Sequence, residues 1–223
     1  MPIIVGFVSQ KGGVGKSTLA RALLAVAAYQ MRVRLADLDP KQASVLEWQR
    51  IRERNRSGPT CEVLAYATPE QAIAESQDVE LLIIDTPAGG TRQTLKVARA
   101  AHLVVQPTGA SIDDLRPAVL LFHELVQAGV PKGRLVMAIC RILTEGEEAE
   151  TRRAIEEAGY EALQGAIPEK VAYREAHNRG QAITETKSAA LNHKAEVLME
   201  ALLNKVAAEL KPQTARGKGG RRA

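Results

Sequence analysis

Aromatic side chains are scarce in this chain of 223 residues: two Phe, four Tyr and one Trp, 3% of the whole. A core of ordinary size must then be built from Ala, Val, Leu and Ile, the composition of parallel sheets covered by helices. Cysteine occurs twice, as Cys61 and Cys140, far apart and without metal-ligand spacing. That excludes a cysteine-held metal or iron–sulfur centre and leaves two buried free thiols, as expected in a reducing cytoplasm. Long apolar runs are missing too. The longest, such as Ala22 to Tyr29, stop well short of the roughly 20 residues that span a bilayer, so no transmembrane helix is expected. Nor does a basic stretch precede the first apolar run, and no secretory leader is expected. Acids are absent from residues 211–223, where Lys211, Arg216, Lys218, Arg221 and Arg222 stand among glycines and polar residues. Their five charges exceed the formal net charge of +4 for the whole chain, so the preceding 210 residues sum to −1. The basic character, with a pI near 9.1, therefore belongs to a tail expected to be a disordered polycation, which serves either to contact nucleic-acid phosphates or simply as a solubilising end. Residues 1–210 are long enough for one α/β domain.

What is present begins with Ile3-Ile4-Val5-Gly6-Phe7-Val8, followed by Ser9-Gln10-Lys11-Gly12-Gly13-Val14-Gly15-Lys16-Ser17-Thr18 and then an apolar-rich run from Leu19 to Met31. Strand, glycine turn and helix in this order form a phosphate cradle, because glycines let consecutive N–H groups converge on one anion at the helix N-terminus. Lys16 can reach β- and γ-phosphates and the Ser17 hydroxyl can ligate Mg²⁺. A nucleoside triphosphate is the ligand such a loop serves.

Downstream, Arg32–Asp37 reads as a second strand delivering Asp37-Leu38-Asp39-Pro40 to the carboxyl edge of a sheet, where ligands of open α/β folds sit. Gln42–Arg56 reads as a helix with Trp48 and four arginines, Arg50, Arg52, Arg54 and Arg56, which serve either as a solvated face or as a nucleic-acid contact. Cys61–Tyr66 is a strand, and Thr68 with Pro69 opens a helix. Leu81-Leu-Ile-Ile-Asp85 is an apolar strand ending in a carboxylate placed near Mg²⁺, as in a Walker B element. Further strands are expected at Ala101–Pro107, Arg134–Cys140 and Ala162–Pro168. Further helices are expected at Thr91–Ala100, Ile112–Ala128 with Ser111 as cap, Glu145–Gly159, Glu169–Ala176 and Ala189–Leu210. The last carries a stripe through Leu191, Ala195, Leu198, Leu202, Val206 and Leu210 that should pack on the sheet.

The segment Lys11-Gly12-Gly13-Val14-Gly15-Lys16-Ser17 departs from the plain Walker A pattern, having Gln10 where that pattern has glycine and a second lysine inside the loop. It resembles the deviant Walker A family that includes ParA-type DNA partition ATPases, MinD and the nitrogenase iron protein, and the likeness runs from residue 3 to about 210. It is nearest to small ParA-type proteins of the ParF kind. The resemblance implies a P-loop fold with a mostly parallel twisted sheet flanked by helices on both faces. It implies ATP and Mg²⁺ as ligands, bound by Lys11, Gly12, Gly13, Val14, Gly15, Lys16, Ser17 and Thr18, with Arg141 and Pro168 flanking the adenine. Ser17, Asp39 and Asp85 would serve the metal. Lys16, Asp39 and Lys11 would serve catalysis, Asp39 by positioning the water and Lys11 by reaching the nucleotide of a partner subunit. Asp37 would support the local geometry or, as the rival reading, serve the metal. The function implied is slow ATP hydrolysis that drives DNA segregation. An ATP-sandwiched homodimer would bind DNA without sequence preference on the nucleoid, and a ParB-type or small centromere-binding protein would stimulate its release. The rivals are a MinD-like membrane-associated ATPase, against which the polar terminus argues, and a metabolic ATP-dependent ligase of the same fold.

Overall fold

A computed structural model describes residues 1–39, 44–89 and 92–210. The basic tail and the positions of Lys41 and Gln42 lie outside the described residues. Seven strands form one sheet: β1 (Ile3–Phe7), β2 (Val33–Asp37), β3 (Glu62–Ala65), β4 (Leu81–Asp85), β5 (Leu103–Thr108), β6 (Leu135–Ile142) and β7 (Glu161–Pro168), in the spatial order 3-2-4-1-5-6-7. Every pairing is parallel, where mostly parallel was expected.

Alternation along the central strands divides the core in two, because successive side chains point to opposite faces. Ile3, Val5, Phe7, Leu81 and Ile83 face one cluster. It is completed by α1 (Lys16–Ala27), by Val45 and Trp48 of α2 (Ser44–Asn55), by Tyr173 of α7 (Val171–His177), and by Ala195, Leu198, Leu202 and Val206 of α8 (Ala189–Leu210). Ile4, Leu82 and Ile84 face the other, with Ala72 of α3 (Pro69–Ala74), Val97 of α4 (Arg92–Ala100), Phe122 of α5 (Ile112–Gln127) and Ile155 of α6 (Glu145–Glu157). Both faces being covered explains why the strands read as unbroken apolar runs. Among the described residues no helix is long and apolar enough to cross a membrane.

Helix signals meet different fates. Thr68 caps α3 by accepting from the Gln71 N–H at 3.2 Å, and Gly159 follows α6 with φ +80°. Ser111 stands at the N-cap of α5 but makes no side-chain capping bond. Arg134 belongs to a short 3₁₀ turn ahead of β6. Within the arginine cluster, Arg52 is buried and pairs with Glu185 at 2.7 Å, so it is no part of a solvated face. Phe7, Asp37 and Asp85 lie in register. Three neighbouring strands therefore end level and present their following loops at one edge.

Candidate functional site

The loop after β1 is held from both sides. Ser9 Oγ accepts from the Lys11 N–H at 3.0 Å, the Ser9 carbonyl accepts from the Gly89 N–H at 3.2 Å, and Thr86 Oγ1 donates to the Phe7 carbonyl at 2.8 Å. Gly13 and Gly15 adopt φ of +74° and +112°, the left-handed region that a Cβ disfavours. Gly15 is the N-cap of α1 and supplies no side-chain cap. The first-turn N–H groups are thus left for an anion, with the positive end of the helix behind them.

A cavity of about 370 Å³ opens over this loop, large enough for a small organic ligand. Gly12, Gly13, Gly15, Lys16, Ser17 and Thr18 line it, as do Asp39 and Asp85, and Arg141 and Pro168 stand in its wall. Two residues expected at the site lie apart from the lining. Val14 is buried, so only its backbone can serve a ligand. Lys11 turns outward, its Nζ 2.5 Å from Asp114 Oδ1 and 3.4 Å from the Asp113 carbonyl, both on α5. That pair engages Asp114 in the first turn of α5.

Lys16 is buried, and desolvation pulls its pKa below the usual value against the opposing pull of Asp85 and Asp39. Asp85 is buried too, and burial pushes its carboxyl up to about 7, while hydrogen bonding from Ser17 and the charge of Lys16 act the other way. Asp85 Oδ1 has no hydrogen-bond partner among the described residues. A buried carboxylate oxygen left unpaired beside a hydroxyl is a donor set suited to a hard divalent cation. Asp37 Oδ1 accepts from the Asp39 N–H at 2.8 Å and shapes the turn that presents Asp39.

Sequence reading missed several residues of the cavity wall. Cys140 lines it as a buried free thiol, its pKa pushed up to about 12 by burial, which keeps it an unreactive apolar wall. Glu169, Tyr173, Arg174 and His177 also contribute. His177 is held neutral by burial and by the nearby Arg21 charge, its pKa pulled down to about 4. No spacing rule brings α7 to a loop some 160 positions earlier.

The raised Asp85 pKa has a definite sign. An acid whose pKa is higher folded than unfolded opposes folding once ionised, so with no cation bound its cost is relieved as pH falls from about 7 toward 4. The same proton competes with any cation. If a divalent cation such as Mg²⁺ accompanies the nucleotide at Asp85, that binding is expected to weaken as pH falls from about 8 to about 6. Titrating Mg²⁺ into protein and nucleotide across that range checks this, and Asp85→Asn should lack the step. A flat wild-type profile would contradict it.

A parallel sheet whose first strand feeds a glycine loop into a helix N-terminus, with a buried lysine facing two acids, defines a P-loop nucleotide-binding protein. The chain belongs to the CobQ/CobB/MinD/ParA nucleotide-binding domain family, whose model matches residues 5–183. A relative from Gloeobacter kilaueensis, the maintenance of carboxysome distribution protein A, is 29% identical over 187 residues, covering 82% of this chain and 85% of that one. Two solved structures share the fold. One is the septum site-determining protein MinD of Pyrococcus horikoshii with Mg-ADP (TM-score 0.70, 18% identity, 96% of this chain and 98% of that one). The other is a putative plasmid partition protein of Borrelia burgdorferi bound to AMPPNP (TM-score 0.70, 18% identity, 92% and 100%).

Proposed function

We propose that the protein is a Mg²⁺-dependent ATPase that works as a nucleotide-switched dimer, distributing DNA in the cell by cycles of non-specific DNA binding and release. The observation that carries this reading is the division of labour between two lysines of one loop. Lys16 is buried in the cavity, and Lys11 is turned outward onto α5.

The loop amides and Lys16 would clamp the triphosphate. Ser17 and Asp85 would hold Mg²⁺, which when bound supplies charge neutralisation on the phosphate oxygens. Asp39, at the cavity edge and aimed by Asp37, would orient the attacking water. Lys11 can serve a phosphate only by leaving Asp114. Its side chain is 45% exposed but the Asp114 carboxylate only 9%, so release leaves a largely buried acid unpaired, a cost that contact with a second subunit's phosphate has to offset. The basic tail and exposed arginines would contact DNA on the nucleoid, and a ParB-type or small centromere-binding partner would accelerate hydrolysis. The carboxysome-distribution relative favours a second reading of the cargo, in which the same switch spaces a large protein body rather than a plasmid or chromosome.

Gel filtration and DNA binding with ATP, with ADP and with neither test the switch. ATP alone should convert the wild type to a DNA-binding dimer, and Lys11→Ala should bind ATP yet elute as a monomer. DNA binding by a permanent monomer, indifferent to nucleotide, would overturn the proposal.

A further inference from the structure

The exits of β6 and β7 form a part of the cavity wall that no phosphate or metal chemistry uses. Cys140, Ile167, Pro168 and Tyr173 make it apolar, and Arg141 and Glu169 stand in it. Arg141 has φ +60°, one of two non-glycine residues with positive φ among those described. A β-carbon makes that conformation unfavourable, so it persists where surrounding contacts over-determine it. Here the contacts are specific. Arg141 Nε donates to Glu169 Oε2 at 3.2 Å and its Nη1 to the Gly13 carbonyl at 3.5 Å. Glu169 is itself fixed, its N–H donating to the Ile142 carbonyl at 2.9 Å and its Oε1 accepting from Arg174 Nη1 at 3.2 Å. One carboxylate thus engages two guanidiniums, and one of these is tied at its far end to the phosphate loop.

We infer that Glu169 sets the base preference of the site, holding the Arg141 guanidinium as a flat platform that favours purine over pyrimidine nucleotides. The inference rests on the nucleotide reading above and adds to it a positioning residue and a selectivity. A planar cation stacks on the π-face of a base, and a two-ring base offers the larger face. A free arginine loses rotamer entropy on stacking, and a tethered one has lost it already. The Glu169 bridges are half-exposed and contribute little to stability, so their consequence is orientation.

The test measures binding of ATP, CTP and inorganic tripolyphosphate to the full chain by calorimetry. Wild type should prefer ATP to CTP by roughly five- to thirtyfold, the span one stacking cation provides. Glu169→Ala should bring that ratio to within about twofold while binding tripolyphosphate no more weakly than wild type. Glu169→Gln, which keeps one acceptor oxygen for Arg141, should retain part of the preference. Arg141→Ala should match Glu169→Ala, and the double variant should lose nothing more, because the two act as one unit. An unchanged ATP-to-CTP ratio in Glu169→Ala overturns the inference, and so does a parallel fall in tripolyphosphate binding, which would mark a merely structural role. A wild type that binds tripolyphosphate but shows no base preference overturns it while sparing the phosphate loop. A wild type that binds none of the three overturns the nucleotide reading itself.

Discussion

Lys16→Ala is expected to weaken triphosphate binding by roughly a hundredfold or more, with the fold intact. The estimate follows from what the side chain does. Lys16 is 7% exposed at the N-terminus of α1, and it is the lysine of the loop that lines the cavity. A charge-assisted hydrogen bond contributes about 1.5–3 kcal/mol, and the loss of a buried ammonium beside a polyanion adds to that, so two decades of affinity is a conservative figure. Stability should move the other way or hardly at all. Burial already penalises the Lys16 charge, with Asp85 and Asp39 in partial compensation, so alanine removes a desolvation cost along with a favourable attraction. The check is a pair of measurements on one sample: calorimetric affinity for ATP, and the melting temperature without ligand. Wild-type affinity in the variant would mean that the cavity over the loop is not where phosphate binds. A collapse of the apo melting temperature would mean that Lys16 is a structural ion. Lys11→Ala provides the contrast, since Lys11 lies outside the cavity lining and should leave monomer affinity near wild type.

That contrast separates what local sequence carries from what only packing decides. The order of strand, glycine loop and helix is local, so the phosphate cradle, the Asp85 strand and the two-sided sheet were legible from apolar runs and turn residues. The pairings that shape the site are not local. Lys11 finds Asp114 across 103 positions and Arg141 finds Glu169 across 28, and no periodicity connects them. Arg52 looked like its three arginine neighbours in sequence, yet its position on α2 turns it inward against Trp48, 5.2 Å from the ring centroid. Ser111 carried the right residue type for a cap, yet the neighbouring chemistry of Lys11 and Asp114 engages that end of α5. Composition fixes which elements form; which side chains meet at their ends depends on how the loops are packed.

Gly180→Ala is expected to lower stability by about 2–4 kcal/mol, the combined cost of a strained backbone and an overpacked site. Gly180 has φ +71°, and a methyl group there would overlap the backbone N and Cα of Arg52 and approach the Ile51 carbonyl carbon to 2.8 Å. These are atoms of a helix, not the end of a flexible side chain, so relief requires α2 to shift as a body. That shift would disturb a dense set of contacts. The Gly180 carbonyl accepts from Arg52 Nη1 at 3.0 Å, and Glu185 takes both ends of the same guanidinium at 2.7 and 2.8 Å. The Gln181 carbonyl accepts from Trp48 Nε1 at 3.0 Å. Arg52 is 2% exposed, and a buried cation parted from its carboxylate is among the costlier defects in a protein interior. For a chain of this length the melting temperature should fall by roughly 4–16 °C. Gly133→Ala is the matched control, with nothing within 4 Å of the added carbon, and should stay within about 0.5 kcal/mol. Because α2 also presents Ser44 to the cavity, Gly180→Ala should weaken nucleotide binding as well, by less than Lys16→Ala, and saturating nucleotide should recover part of the lost melting temperature. A variant that melts with the wild type would show that α2 can slide freely past the loop that joins α7 to α8, and the docking of α2 would then have no part in holding the acid-bearing turn that precedes it.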